Sequence, residues 1–305
     1  MSDILSFPNE AERLWANGNK KLAEQEFLAA KQLFEQLYRL EPNFQHCQKL
    51  VQILQDLGEF PQALEVAEDY LDDFLNEPTS FEMYLRLLML DGQYLAVHRW
   101  LQQTSRSFEQ IQQDLQKLEY AQALIGANER VIKKNQLQQW DQTNHPVPQK
   151  AWNNWLKNSS LTEFLQLAQE FLPTAKNPFL LPKLVEELVK VGATGEVIIQ
   201  GKTVHLSELT LLEETAALRR AHECIQHQQL KDVQLEEMIT AEIDAHFALM
   251  YPFLPNEEEI SAWIESYLLE YQQLFGDEAA GEKLQHYGAI QQRKQVLRQI
   301  YQKLM

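Results

Sequence analysis

Three groups of residues in this sequence are of the types that chemistry requires. The first is His222-Glu223-Cys224-Ile225-Gln226-His227, two imidazoles and a thiol within six residues. Such groups are ligands of zinc and copper. A zinc-binding pair on one helix places its histidines four apart, whereas these are five apart and diverge by about 140°. Cys224 also diverges from His222, so a metal would need ligands from elsewhere, His205 being the nearest candidate in sequence. Surface histidines and a packed cysteine fit this spacing better, and no metal or cofactor is expected.

The second group is Trp140, Trp152 and Trp155 with Lys133, Lys134, Lys150 and Lys157. Flat aromatic faces interleaved with cations form platforms for single-stranded nucleic acid. Helix-packing tryptophans and surface lysines around His145-Pro146-Val147-Pro148 give the same pattern, and that is the favoured reading. The third group is carboxylate pairs such as Asp72-Asp73, which sit in an acidic run from Glu65 to Glu77 and read as a solvated helix face. Gly192-Ala193-Thr194-Gly195 lacks the Lys-Ser/Thr that would cradle a phosphate, and no nucleophile elbow occurs. The expectation is a protein that is not an enzyme.

The elements that must carry these residues are helices. The 305 residues are 45% hydrophobic, enough to bury a core, and include only ten Gly and eleven Pro. So few turn residues argue against a β-sandwich or a doubly wound sheet. A net charge of −17, from 44 acidic against 27 basic residues, argues against bulk nucleic-acid binding. No stretch approaches 18 apolar residues, so no membrane span is expected. The first residues lack a cationic and an apolar signal region, and two cysteines make no disulfide framework. Those features point to the cytoplasm.

Helix starts are marked by Asn9/Glu12, Thr79/Glu82, Ser107/Gln110, Ser160/Glu163 and Thr210/Glu213, and by Asn256 ahead of three glutamates. The helices drawn from them include 19–40, 43–57, 60–76, 79–91 and 93–104, then 107–140, 209–229, 233–250, 257–275 and 278–303. One segment differs. Glu196–Leu206 is β-branched with a central glycine and reads as a hairpin. A type II′ turn at Gly201-Lys202 sets Ile199 opposite Val204 and Val197 opposite Leu206, with Ile198, Gln200, Thr203 and His205 on the other face. Its expected role is a structural wedge.

Gly58, Gly92 and Gly126 recur at 34-residue intervals. Ten glycines in such a chain give roughly 0.008 chance occurrences of that triple at that period. Phe60 with Ala63 and Ala67, and Tyr94 with Ala96 and Trp100, supply the aromatic plug and small residues of a helix–turn–helix repeat. On these residues the chain resembles the tetratricopeptide repeat (TPR) proteins. Gly18, Ala23, Phe27 and Ala30 align as an earlier repeat whose lengthened second helix is closed by Pro42. Residues 107–140 are either a fourth repeat or one long helix. Phe164–Ala168, Asn177–Leu181, the hairpin, and Ala245-His246 through Tyr251-Pro252-Phe253 to Trp263 are similar in order to the YpiA-like TPR proteins of Bacillus and its relatives. The resemblance implies a cytoplasmic, non-enzymatic TPR protein.

The fold expected is therefore all-α: a TPR-like helix-turn-helix superhelix over 1–140, a linker at 141–148, and a helical region at 149–305 bearing the 196–206 hairpin. Its expected function is an adaptor or scaffold binding an extended protein or peptide segment in a groove. The alternative is a structural homo-oligomer assembled through Ile290, Leu297, Tyr301 and Leu304. A peptide-pheromone-responsive regulator belongs to the same binding class, but repeat-like sequence begins at once and no preceding DNA-binding domain is expected. In the TPR family the first helix of each pair lines the groove. That places Gln45, Gln48, Lys49 and Gln52 there, then Thr79, Glu82, Met83 and Arg86, then Gln113, Gln116, Lys117 and Tyr120. TPR domains that capture a chaperone's terminal carboxylates use Lys, Arg and Asn at such positions, and the Asn members are missing here. What remains is a glutamine-rich, slightly cationic surface suited to a neutral-to-acidic segment.

Overall fold

A computed structural model describes residues 10–227 and 233–304. The chain is all-α with one small antiparallel hairpin. It packs as two compact units, one reaching Gly126 and including Leu156–Leu161, the other comprising Ala127–Trp155 and the chain from Thr162 onward. Among the described residues, no helix is long and apolar enough to cross a membrane.

In the first unit the helices are α1 (Glu10–Ala23), α2 (Phe27–Leu40), α3 (Phe44–Asp56), α4 (Phe60–Glu68), α5 (Leu71–Asn76), α6 (Pro78–Leu90), α7 (Tyr94–Gln103) and α8 (Glu109–Ile125). Three turns share one geometry. Gln25, Gly58 and Gly92 all have positive φ, of 60°, 75° and 74°. At the next residue an amide reaches back five positions: Glu26 to Lys21 O, Glu59 to Leu54 O and Gln93 to Leu88 O, at 2.8–2.9 Å. That closure satisfies carbonyls left open at the helix end. Five residues past each turn, Ala30, Ala63 and Val97 are completely buried.

Gly58 and Gly92 thus lie in the turns expected of them, but Gly18 does not. It lies within α1, where a Cβ would come within 2.5 Å of the Phe34 ring. The glycine permits close helix packing, and Gln25 makes the turn that breaks the expected 19–40 helix. The expected 60–76 helix also breaks, at Asp69-Tyr70, where Tyr38 donates to Asp69 Oδ2 at 2.7 Å. Gly126 keeps φ near −83° and caps α8, so it does not make the turn of Gly58 and Gly92.

The starts differ in detail. The Asn9 cap lies outside the described residues. Glu77, not Thr79, caps α6, because Pro78 occupies the first helical position and the Glu77 carboxylate accepts from the Thr79 and Ser80 amides. No side chain caps α8. Thr215 replaces Thr210 ahead of α13, accepting from the Leu218 amide at 3.3 Å. The start expected at Asn256 is present, and Asn256 and Glu259 close it as a capping box.

The second unit contains α9 (Ala127–Thr143), α10 (Gln149–Leu156), α11 (Leu161–Phe171), α12 (Leu180–Lys190), β1 (Glu196–Ile199), β2 (Lys202–His205), α13 (Ala216–His227), α14 (Val233–Met250), α15 (Glu257–Leu274), α16 (Glu278–Leu284) and α17 (Gly288–Gln302). The hairpin is present, but its turn lies one residue earlier than expected, which shifts the pairing by two residues. Val197 faces Val204 and Ile199 faces Lys202, so Gln200-Gly201 forms the turn. Both turn residues have positive φ, 50° and 78°, as a type I′ turn requires. Val197 and Ile199 are buried while Ile198 stays exposed, as the alternation requires. Leu206 still packs inside, its amide bonded to Gly195 O.

Candidate functional site

The residues expected to line a groove lie on α3, α6 and α8, and side-chain bridges join these helices. Gln48 on α3 donates to Ser80 Oγ on α6 at 2.8 Å. Ser80 is itself fixed by Glu77, which accepts from its hydroxyl and amide. Hydrogen bonds from Ser80 and then Thr79 hold the Glu77 carboxyl down at about 2. Arg86 on α6 reaches Asp114 on α8 at 3.4 Å and pairs with Glu82 one turn back at 2.8 Å. Gln110 and Lys117 also bond Asp114, at 3.0 and 3.1 Å. Those contacts, the Gln110 amide first, hold the Asp114 carboxyl below its usual range.

The structure therefore gathers Gln48, Glu82, Arg86 and Lys117 into bridges between or along these helices. Lys49 is half-buried on α3, and Gln45, Gln52, Gln113, Gln116 and Tyr120 are exposed. Tyr120 retains 69% of its exposure, so its ring is open to a partner. Two expected members are partly spent elsewhere: the Thr79 hydroxyl bonds Glu77, and Met83 packs against the core. Sequence reasoning missed Glu77, Ser80 and Asp114. Only Asp114 carried a local signal, its i+3 spacing to Lys117; its contact with Arg86 spans 28 residues. With Glu77 and Asp114 included, three cations (Lys49, Arg86 and Lys117) stand against three carboxylates (Glu77, Glu82 and Asp114), so the face is balanced in charge within a strongly acidic chain.

A second charged cluster lies inside the other unit. Lys294 on α17 has no exposed surface, and its ammonium sits 2.5 Å from Glu270 on α15 and 3.9 Å from the Tyr267 ring centroid. Arg298 bridges Glu242 on α14 at 2.5 Å and also grips Glu270. Tyr271 donates to the other Glu242 oxygen at 3.1 Å. His246, 1% exposed, bonds the Tyr267 hydroxyl through Nδ1. Burial pushes the Lys294 ammonium down to about 8 and the His246 imidazole down to about 4. Glu270 is half-buried, which by itself raises its carboxyl, yet Arg298 and Lys294 hold it below the usual range. Two cations balance two carboxylates beside a neutral imidazole, and the group pins α14, α15 and α17 together. The face of α17 expected to self-associate is turned into this unit. Leu297 is buried, Ile290 packs on the core, and Tyr301 donates to Ala245 O at 2.9 Å.

The remaining chemical groups resolve into packing. Trp152 and Trp155 stack at 5.0 Å, with Trp140 about 6 Å from both, and Trp152 and Trp155 are nearly fully buried. Their indole nitrogens bond Glu187 and Lys133 O, so neither ring offers a surface for a base to stack upon. His222 bonds Asp244 at 2.6 Å and His227 bonds Glu223 O at 2.6 Å. Among the described residues, no three His, Cys, Asp or Glu side chains come together as a metal site. No family model, curated protein or solved structure matches the chain.

Proposed function

We propose that this chain is a non-enzymatic, TPR-type adaptor of the cytoplasm that binds an extended, neutral-to-acidic segment of a partner protein along α3, α6 and α8. The observation that carries this reading is the bridging of the three helices through Gln48–Ser80 and Arg86–Asp114. It gathers amides and cations from three stretches of sequence on adjacent helices. Glutamine amides donate to and accept from an extended backbone, while Lys49 and Lys117 attract acidic side chains. The three turns of one geometry and the small buried residues that follow them support the TPR resemblance. Assembly through the C-terminal helices is the weaker reading, since Leu297 and Tyr301 are occupied within their own unit.

The test compares partners held by the wild-type chain with those held by Lys49→Glu combined with Lys117→Glu. Circular dichroism and melting should match, while partner affinity and its salt dependence fall. If the double variant keeps every wild-type partner at equal affinity, the face is not the binding surface.

A further inference from the structure

A cleft of about 570 Å³ opens in the second unit between α13, α15 and α16. Arg220, Cys224 and His227 line one wall, at the i, i+4 and i+7 positions of one helix face. Its floor is apolar, formed by Ile264, Leu268 and Leu269, all buried. The rim carries the cations Arg220 and Lys283, the His227 imidazole and the carboxylate of Glu265, with Glu223 beside Arg220.

The rim charges are largely uncommitted. Lys283 Nζ makes no hydrogen bond or ion pair among the described residues. Arg220 meets Glu223 at 3.3 Å with both side chains about half exposed, a weak pair that a stronger anion can displace. Glu265 is engaged by the Tyr287 hydroxyl, a bond that raises the tyrosine's pKa. An apolar floor alone would suit a neutral hydrocarbon. Two permanent cations at its edge select against one.

We propose that this cleft binds a small amphipathic carboxylate, its head at Lys283 and Arg220 and its apolar chain over Ile264, Leu268 and Leu269. The volume falls within the range of about 300–1,000 Å³ usual for small-molecule sites. Nothing in this inference depends on the α3–α6–α8 face, which lies in the other unit.

Cys224 supplies a readout at the cleft wall. Cys47, the other cysteine, is fully buried, so reagents in solution reach Cys224. The experiment follows alkylation of Cys224 in the full chain by iodoacetamide, with the site located by peptide mass spectrometry. Octanoate should slow the reaction on the order of tenfold at saturation, while acetate, lacking the chain, and octanol, lacking the charge, should not. Arg220→Glu with Lys283→Glu should weaken octanoate protection about tenfold without moving the melting temperature, because both residues are exposed. It should also lower the rate with iodoacetate relative to iodoacetamide. The proposal is overturned if octanoate gives no protection, if octanol protects equally, or if the double variant is protected as well as the wild type.

Discussion

The two charged networks use the same kinds of side chain in different surroundings. On α6 and α8, Arg86 bridges Glu82 and Asp114, and Lys117 adds a second contact to Asp114; the Lys117 side chain is 71% exposed and that of Arg86 38%. In the second unit, Lys294 and Arg298 bridge Glu270 and Glu242, and Lys294 has no exposure at all. Water screens the first set, so each pair there adds little stability and can be exchanged for a partner's charges. In the second set Lys294 has left water at a cost and is held by Glu270, while Arg298, 33% exposed, ties that pair to Glu242. Exposure makes one network available for recognition, and burial makes the other a fixture of the core.

Removing one member of the buried set tests this contrast most severely. Glu270→Ala strands the Lys294 ammonium without a carboxylate and should cost about 3–5 kcal/mol in chemical denaturation. A loss below about 1 kcal/mol would mean that this cluster behaves like a surface one. Acid should produce the next largest effect. The folded-state value of about 4 for His246 lies below its ordinary 6.5, so the unfolded chain takes up that proton first. Stability should be intact above about pH 6.5 and fall by up to about 3 kcal/mol as the pH drops to about 4. Glu270, also held below its ordinary value, adds to the loss only at lower pH. Glu242, Glu270, Lys294, Arg298 and Tyr267 surround the ring, and His246→Gln should flatten the slope between pH 6.5 and 4 while they remain. An unchanged slope in that variant would assign the acid response to other groups. The smallest effect belongs to the exposed set. Asp114→Asn should move the denaturation midpoint only slightly, and the difference should vanish in about 1 M salt, where screening acts over about 3 Å. A larger, salt-independent loss would remove the distinction between the two networks.

The sequence disclosed helix content well, because low glycine, recurrent caps and helical spacing all agree. It also disclosed Gly58 and Gly92, where a turn of positive φ coincides with the residue that adopts it most easily. The first turn escaped because Gln25 takes that conformation, while the nearby glycine serves the contact between Gly18 and Phe34. The hairpin was legible but its register was not. Two candidate turns containing Gly201 differ by one residue and both suit the twist of the strands; the one formed is that in which Gln200 and Gly201 both have positive φ. Within the candidate site, Gln48, Glu82, Arg86 and Lys117 were placed through the TPR resemblance, by counting back from the turn glycines. The contacts of Gln48 with Ser80 and of Arg86 with Asp114 could not be placed this way, because they close between helices about 30 residues apart.

What the sequence alone determined is the class of element and the types of side chain each element carries. Periodicity, capping and glycine placement act over a few residues, and that range is written directly in the chain. Tertiary structure decided which charges lie in water and which in the core. Lys294, in a polar run of α17, reads as a solvated lysine until α15 closes over it and Glu270 meets it at 2.5 Å. Arg86 and Lys117 read the same way and remain partly or largely exposed. Burial depends on neighbours brought from distant parts of the chain, and the free energy of a charge depends on burial.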